Sequence, residues 1–295
     1  MRGLDTSLPV LTTVAPATDV FLLCETWCES TTDTPTLPGF DSISASRPWK
    51  HSAAVRASGG LACYVKQSLA PYVSMWKKAS DASYMWLQFD RALGFEKDLY
   101  VCLAYVSPES STHYNHPEAI SPFDSLTEDI AEICTKGGDV LLAGDFNART
   151  ADKEDFINRE VLVSELLADV PRYTEPVVSP VHRQSADLTS NHFGGRLLQL
   201  CQDADLLILN GRTKGDEHGK FTCHASNGRS VVDYFISNAS ILRTDPRLHV
   251  QDLQPESDHC PLTLALQKPG QSGTPTRSGG MTGMAKPPLR QLPKL

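Results

Sequence analysis

The sequence predicts an α/β domain in which two packed β-sheets are flanked by helices. Short apolar segments of β type recur along the chain, and segments with helical periodicity lie between some of them. Neither a purely helical nor a purely β fold accounts for both kinds of segment. The predicted strands cover 19–24, 60–65, 84–89, 98–106, 139–143, 206–209, 221–225, 231–237, 248–253 and 260–266.

Three helices are predicted between these strands. The first begins at Ser121-Pro122, because proline is favoured in the first helical turn, and ends at Gly137-Gly138. One face of this helix is apolar and carries Phe123, Leu126, Ile130, Ile133 and Cys134. The other two helices are expected at 157–167 and 195–202, with a long polar surface loop at 171–193.

The chain divides into a folded domain, residues 1–267, and a tail, residues 268–295. Ten of the 28 tail residues are glycine or proline, so we expect the tail to be disordered. The tail is also basic, with five lysine or arginine residues and no acid.

The composition is that of an ordinary globular protein, with 40% hydrophobic and 21% charged residues. No apolar run approaches the ~18 residues that a membrane span needs, and residues 1–13 lack the apolar core of a signal peptide. The eight cysteines include no Cys-x-x-Cys pair, which favours buried free thiols over zinc ligands. We therefore expect an intracellular protein, nuclear or cytoplasmic, that is not secreted and has no membrane partner. No obligatory protein partner can be inferred.

The charge balance argues against strong nonspecific binding to nucleic acid. The net charge is −8, and residues 1–267 alone carry 22 basic and 35 acidic residues. Because DNA-binding proteins usually present a basic surface, contact with a polyanion would depend on local patches. The candidate residues are Arg149, Lys153, Arg159, Arg212, Lys214, Lys220 and Arg229.

The most informative motif is Leu141-Leu142-Ala143-Gly144-Asp145-Phe146-Asn147-Ala148. We expect Gly144 to let the chain turn as a buried strand ends. With the alternation of a strand, Asp145 and Asn147 point the same way and Phe146 turns into the core. A carboxylate beside an amide can hold and deprotonate one water molecule. Taken alone, the motif is more often a polar turn after a strand than a catalytic site.

Three further acidic sites accompany apolar strands. Glu25 follows the first predicted strand, Asp233 lies within an apolar β-type run, and Ser257-Asp258-His259 precedes the last strand. An unpaired carboxylate among apolar neighbours would be costly, so Asp233 needs a partner. The ordered set Glu, Asp-x-Asn, Asp-Tyr, Ser-Asp-His is more specific than any one of its members.

These motifs resemble the endonuclease/exonuclease/phosphatase superfamily, and most of all the endonuclease domain of LINE-type (non-LTR) retrotransposons. The resemblance covers roughly residues 2–266. It rests on Glu25-Thr26-Trp27, Gly144-Asp145-Phe146-Asn147-Ala148-Arg149, Gly195-Arg196-Leu197-Leu198, Leu209-Asn210-Gly211-Arg212, Asp233-Tyr234 and Ser257-Asp258-His259. It implies a four-layer α/β sandwich of two mixed β-sheets flanked by helices, as in deoxyribonuclease and exonuclease III.

The resemblance also implies hydrolysis of phosphodiesters, most of all nicking of DNA, with Mg²⁺ or Mn²⁺ as cofactor. Glu25 and Asp258 would be metal ligands. Arg149 and Arg212 are expected to bind the substrate.

The remaining implied roles are catalytic. Asp145 would be the general base and Asn147 would orient the water or a phosphate oxygen. His259 would donate to the phosphate, with Asp233 fixing its tautomer. Tyr105 would lie near the scissile phosphate.

In this family an opening strand ends in an asparagine that joins the metal site and is followed by a Gly-Leu-type turn. Here Arg2-Gly3-Leu4 matches that turn, so we expect the opening strand to be missing and activity to be impaired.

Two alternatives stay open: a phosphoesterase of another substrate class on the same fold, and a degenerate or domesticated domain that only binds partners.

Overall fold

The computed structural model describes residues 4–49, 58–157, 181–226, 228–255 and 257–267. The helices in these ranges are α1 (Leu4–Val14), α2 (Pro122–Thr135), α3 (His192–Asp203) and α4 (Ala239–Leu242). The strands are β1 (Val20–Cys24), β2 (Phe40–Ala45), β3 (Leu61–Lys66), β4 (Val73–Lys78), β5 (Tyr84–Phe89), β6 (Leu99–Tyr105), β7 (Asp139–Asp145), β8 (Leu206–Ile208), β9 (Cys223–Ala225), β10 (Gly228–Ser230), β11 (Asp233–Asn238), β12 (Arg247–Val250) and β13 (Leu262–Ala265).

Six strands form a central mixed sheet in the order β4-β5-β6-β7-β11-β8. β6 and β7 run parallel, and the other neighbours are antiparallel. Helix α2 lies between β6 and β7 along the chain, which supplies the crossover that a parallel pair requires. Both strands are buried along nearly their whole length, because other layers cover both faces of the sheet.

The domain has four layers. Helices α2 and α3 pack on one face of the central sheet through residues such as Leu126 and Leu197. The other face packs against β3 and the β12–β13 pair, where Leu61 and Leu248 are fully buried. Leu4 of α1 packs on the outer face of the second strand layer. This confirms the predicted four-layer α/β sandwich. No helix in the described ranges has both the length and the apolar character needed to cross a bilayer.

The second strand layer consists of a three-stranded sheet, β1-β3-β2, and the two-stranded β12–β13 sheet, both antiparallel. Among the described residues, β1 pairs with β3 alone and β13 with β12 alone. Leu22 of β1 and Leu264 of β13 nevertheless pack against the same core. Leu4, which was expected in a turn, begins α1 instead.

All ten predicted strands are present, and so are the helices expected near 121 and 195. Cys134 was expected on the buried face of α2 but is exposed. The sequence interpretation missed α1, which contains Pro9, and it missed β2, β4, β10 and α4. Residues 181–191 are irregular, as expected of a loop, but α3 already begins at His192. The predicted helix at 157–167, apart from residue 157, and the tail 268–295 lie outside the described residues.

Candidate active site

The ends of three adjacent central strands bring together three side chains of the candidate site. β6 ends at Tyr105 and β7 ends at Asp145, and these two residues are partners in the parallel register. β11 begins at Asp233, which is the antiparallel partner of the same Asp145. The sheet topology therefore places Tyr105, Asp145 and Asp233 side by side, although they are 40 and 88 positions apart in sequence.

Gly144 lies within β7, at a point where the β6 backbone approaches too closely for any side chain. Its φ is +135°, and a Cβ atom there would stand 1.9 Å from the carbonyl oxygen of Ala104. The prediction that Gly144 forms the turn after the strand is wrong. The strand continues to Asp145, and the left-handed residue is Asn147, with φ +46°.

Asn147 holds the Asp145 carboxylate in place. The Asn147 backbone N–H donates to Asp145 Oδ1 at 2.8 Å, and its Nδ2 donates to Asp145 Oδ2 at 3.2 Å and to the Val106 carbonyl at 2.8 Å. Strand alternation, on which the pairing was predicted, ends at Asp145, so the two side chains meet through a turn instead. Phe146 between them is fully buried.

Asp233 and His259 form a second pair. His259 Nδ1–H donates to Asp233 Oδ2 at 2.9 Å, while Nε2 lies 4.0 Å from Asp145 Oδ2. Burial alone would lower the pKa of His259, but hydrogen bonds with Asp233 and Cys223 and the nearby negative charge raise it to about 12. The imidazole is therefore a cation at neutral pH, with Nε2–H turned towards the Asp145 side of the site.

Glu25 and Tyr105 form the opposite side of the site. Glu25 follows β1 in a left-handed conformation, with φ +58°, and the Tyr105 hydroxyl donates to its Oε1 at 2.5 Å. Burial, and then the Glu25 carboxylate, raise the pKa of Tyr105, so the phenol remains a proton donor. Asp145 is buried as well: burial and repulsion from Asp233 hold its pKa well above the ordinary range, against the opposing effect of His259.

A sequence model described as the Endonuclease/Exonuclease/phosphatase family matches residues 8–259, most of the chain. The chain belongs to this family. The family comprises nucleases and phosphatases, hydrolases of phosphoester bonds. No curated protein matches the sequence significantly.

Solved structures of several DNA-processing enzymes have the same fold. The AP endonuclease LMAP from Leishmania major aligns with a TM-score of 0.62 at 13% identity, covering 90% of this chain and 83% of that one. The catalytic domain of Xenopus laevis APE2 aligns at 0.61 and 15% identity, covering 90% and 89%. The endonuclease domain of TRAS1, a telomere-specific non-LTR retrotransposon, aligns at 0.51 and 13%, covering 89% and 91%. At these identities the similarity concerns the fold.

The donors in this endonuclease/exonuclease/phosphatase site suit a hard divalent cation. Glu25, Asp145 and Asp233 offer carboxylate oxygens and Asn147 offers an amide oxygen, the ligand types that Mg²⁺ and Mn²⁺ prefer. The mutual repulsion of these carboxylates contributes to the raised pKa of Asp145. A cation beside Glu25 would relieve that repulsion, so the residues fit the expected cofactor.

Asp258, the second expected metal ligand, lies in a different set of neighbours. Its carbonyl accepts from the backbone N–H of His224 at 2.7 Å, which ties it to β9. Its exposed carboxylate lies within 4.8 Å of ligand atoms of Cys223 and His259.

The two arginines expected to bind substrate already have partners. Arg212 has a side chain only 1% exposed, and its Nη2 donates to Asp155 at 2.6 Å. It is a buried structural residue, so the expectation that it binds substrate does not fit its position. Arg149 is 31% exposed and donates from Nε and Nη2 to the two carboxylate oxygens of Asp187. Lys153, Lys214, Lys220 and Arg229 are on the surface, and Arg159 lies outside the described residues.

Two residues that position the site, Thr222 and Asn210, had no predicted role. The hydroxyl of Thr222 accepts from the backbone N–H groups of Val232 and Asp233, both at 3.1 Å. The side chain of Asn210 bonds the carbonyl of Asp233 and the N–H of Phe235. Both side chains fix the start of β11. Neither set of hydrogen bonds could be predicted from the spacing of these residues in the sequence.

Arg47 was missed altogether. Its Nη2 donates to the Ser107 hydroxyl at 3.2 Å, two residues beyond Tyr105. Burial lowers the pKa of Arg47, and the nearby carboxylates of Asp81 and Glu25 oppose the shift. Arg47 lies in the segment between β2 and β3, whose sequence has neither an apolar pattern nor a recognisable motif.

Proposed function

We propose that the protein is a divalent-metal-dependent phosphodiesterase that nicks DNA. The observation that carries the proposal is the 4.0 Å separation between Asp145 Oδ2 and His259 Nε2. This distance is too long for a hydrogen bond. Asn147 holds the Asp145 carboxylate in place, and Asp233 holds the His259 ring. An acceptor and a donor thus face the same small volume.

In the proposed reaction Asp145 takes a proton from a water molecule, and the water oxygen attacks phosphorus as the bond to the leaving oxygen breaks. Asn147 keeps the carboxylate oriented during this step. General base catalysis of this kind typically contributes about 10²–10⁴-fold. The raised pKa of Asp145 suits the role, because it strengthens the carboxylate as a base near neutral pH.

His259 and Tyr105 would act on the phosphate itself. The imidazolium Nε2–H donates to a phosphate oxygen as negative charge grows, while Asp233 fixes the ring. Tyr105 keeps Glu25 in place and lies beside the phosphate. Mg²⁺ or Mn²⁺, held by the Glu25 carboxylate, would neutralise charge on the phosphate.

DNA is the proposed substrate because of the motifs rather than the fold. The Gly144–Arg149, Leu209–Arg212 and Ser257–His259 segments resemble LINE-type endonucleases, and the TRAS1 domain is one of the aligned structures. We propose a retrotransposon-type endonuclease acting inside the cell.

The decisive test is the nicking of supercoiled plasmid with Mg²⁺, Mn²⁺ or EDTA. We expect metal-dependent relaxation that Asp145→Asn slows by about 10²–10⁴-fold. Asp152→Asn, at an exposed aspartate in the following loop, is the matched control and should nick like the parent. Near-parental activity in Asp145→Asn would refute the mechanism.

The same preparation distinguishes the other substrate classes. Phosphate release from 3′-phosphorylated oligonucleotides or from inositol phosphates without nicking would show a phosphatase. A folded protein that turns over none of these substrates with either metal would be a non-catalytic family member.

A further inference from the structure

Cys223, Asp258 and His259 bring three different metal-binding groups together at the edge of the candidate active site. A thiol, a carboxylate and an imidazole each offer one ligand atom, and these atoms all lie within 4.8 Å of one another. In a tetrahedral zinc site with one sulfur ligand, neighbouring ligand atoms are about 3.3–3.8 Å apart. Shifts of about 1 Å would thus convert the cluster into a site.

The backbone holds the three residues in this arrangement. Cys223 and His259 form an antiparallel β-bridge. On either side of it, His224 N–H donates to the Asp258 carbonyl and Cys260 N–H to the Thr222 carbonyl, both at 2.7 Å. Only side-chain movement is therefore needed, and the exposed Asp258 carboxylate has the greatest freedom to make it.

The imidazole is oriented as metal-bound histidines usually are. Its Nδ1 is bonded to the Asp233 carboxylate at 2.9 Å, so a metal on this ring would take Nε2. A carboxylate on the other ring nitrogen fixes the tautomer and raises the basicity of a histidine ligand. Asp233 would thus support a metal on His259 as well as the proposed catalytic role of the ring.

The chemistry of this cluster differs from that of the oxygen ligands around Glu25. A thiolate and an imidazole favour zinc and other borderline or soft ions, whereas Mg²⁺ and Mn²⁺ favour oxygen. The fourth position of a tetrahedral ion would be filled by water, because Asp258 and His259 are both accessible from solvent.

We propose that Cys223, Asp258 and His259 form a zinc-binding site that shares His259 with the catalytic residues, so that zinc inhibits the enzyme. Binding releases the thiol proton of Cys223 and the proton on His259 Nε2 to solvent. The ring then cannot donate to a phosphate. The inhibition rests on the proposed function; the binding does not.

Binding is tested first, without DNA, on the full chain in metal-free buffer with CoCl₂ as the spectroscopic probe and ZnCl₂ as the competitor. We expect a thiolate-to-cobalt charge-transfer band that zinc removes. Cys223→Ser and Cys223→Ala should abolish the band and weaken zinc binding by about tenfold or more, as loss of even an outer partner of a metal ligand costs 10–100-fold. Two substitutions of Cys223 are made, so that the test can still be carried out if one variant does not fold.

Cys134→Ser is the matched control, because Cys134 is an exposed thiol outside this cluster. It should bind cobalt and zinc like the parent. A charge-transfer band that persists without Cys223, or no band in the parent, would overturn the proposal. If the metal is held by Asp145, Asp233 and His259 instead, cobalt and zinc will bind without a thiolate band. That result would also overturn the proposal.

Inhibition is tested second, by adding ZnCl₂ to Mg²⁺-dependent nicking. Half-inhibition of Cys223→Ser should need about tenfold more zinc than that of the parent, when each protein is compared with its own zinc-free rate. Equal sensitivity of both proteins would refute the inhibitory role. If the parent shows the cobalt band but never nicks DNA, the proposed function fails and the zinc site stands.

Discussion

Asp145 lies where its negative charge is disfavoured. The resulting rise in its pKa suits it to act as a base. It is buried beside Asp233, and both effects raise its pKa to about 8, whereas an ordinary aspartate titrates near 3.9. Between these values the folded protein binds a proton that the unfolded chain does not. The stability of the metal-free protein therefore falls as pH rises through this window.

Asp145→Asn should separate stability from activity. An amide is isosteric and keeps an oxygen for the Asn147 N–H, but it carries no charge. In EDTA we expect the variant to melt at a higher temperature than the parent at pH ~8 and the two to converge near pH ~4, while nicking falls about 10²–10⁴-fold. Thermal unfolding across that range measures the first effect. A variant less stable than the parent at the alkaline end would show that the carboxylate is not destabilising.

At the scale of elements, the beginning of β11 decides where Asp233 lies. Thr222 accepts the N–H groups of both Val232 and Asp233 and is itself fully buried. Without that hydroxyl, two backbone donors next to a catalytic carboxylate have no acceptor there.

Thr222→Val tests this positioning with nearly no change in shape. We expect a loss of about 1–3 kcal/mol of unfolding free energy, since buried donors are left unsatisfied, together with a lower kcat at temperatures where the variant is folded. Thr222→Ser keeps the hydroxyl and should retain kcat, losing only the methyl packing. Equal kcat in the Val variant and the parent would limit Thr222 to a structural role.

Two adjacent glycines in α3 are predicted to respond oppositely to alanine. A Cβ atom on Gly194 would stand 1.8 Å from the carbonyl of Arg149, in the turn that follows Asn147, whereas Gly195 has open space. Gly194→Ala should destabilise the fold by more than about 1–3 kcal/mol and lower nicking, because the helix must move off the catalytic turn. Gly195→Ala should stabilise it by about 0.5–1 kcal/mol. Chemical denaturation of both variants measures the pair, and similar losses in both would refute the close packing.

The strands that sequence predicted are those with two buried faces or a clear apolar run, such as β6 and β7. β4 has no buried residue, and β2 is largely exposed in its middle, so neither shows a strong apolar pattern. Helix α1 was missed because Pro9 and several threonines disfavour a helix, and packing of Leu4 on the second sheet overrides that preference. Motifs identified Asp145 and His259, but the 4.0 Å between them depends on strand order, which no local pattern encodes.

The charge of the whole molecule sets how it can bind DNA. Residues 1–267 carry a net charge of −13, and Arg149 and Arg212, which were expected to contact the substrate, are engaged in internal ion pairs. The tail, by contrast, carries no acidic residue and five basic ones, Lys268, Arg277, Lys286, Arg290 and Lys294. Electrostatic attraction to a duplex would therefore come largely from this segment.

Replacing those five residues by glutamine should weaken DNA binding at low salt without changing the catalytic step. Each lost phosphate contact reduces the slope of log K against log salt by about 0.9, so the variant should show a shallower slope and should approach the parent at high salt. A tail of the same composition in scrambled order is the control and should bind like the parent, because counterion release depends on charge rather than sequence. Fluorescence anisotropy with a short duplex in Ca²⁺ or EDTA gives the slopes, and kcat at saturating DNA gives the chemistry. An unchanged slope in the glutamine variant would mean that the folded domain supplies the phosphate contacts, in spite of its negative charge.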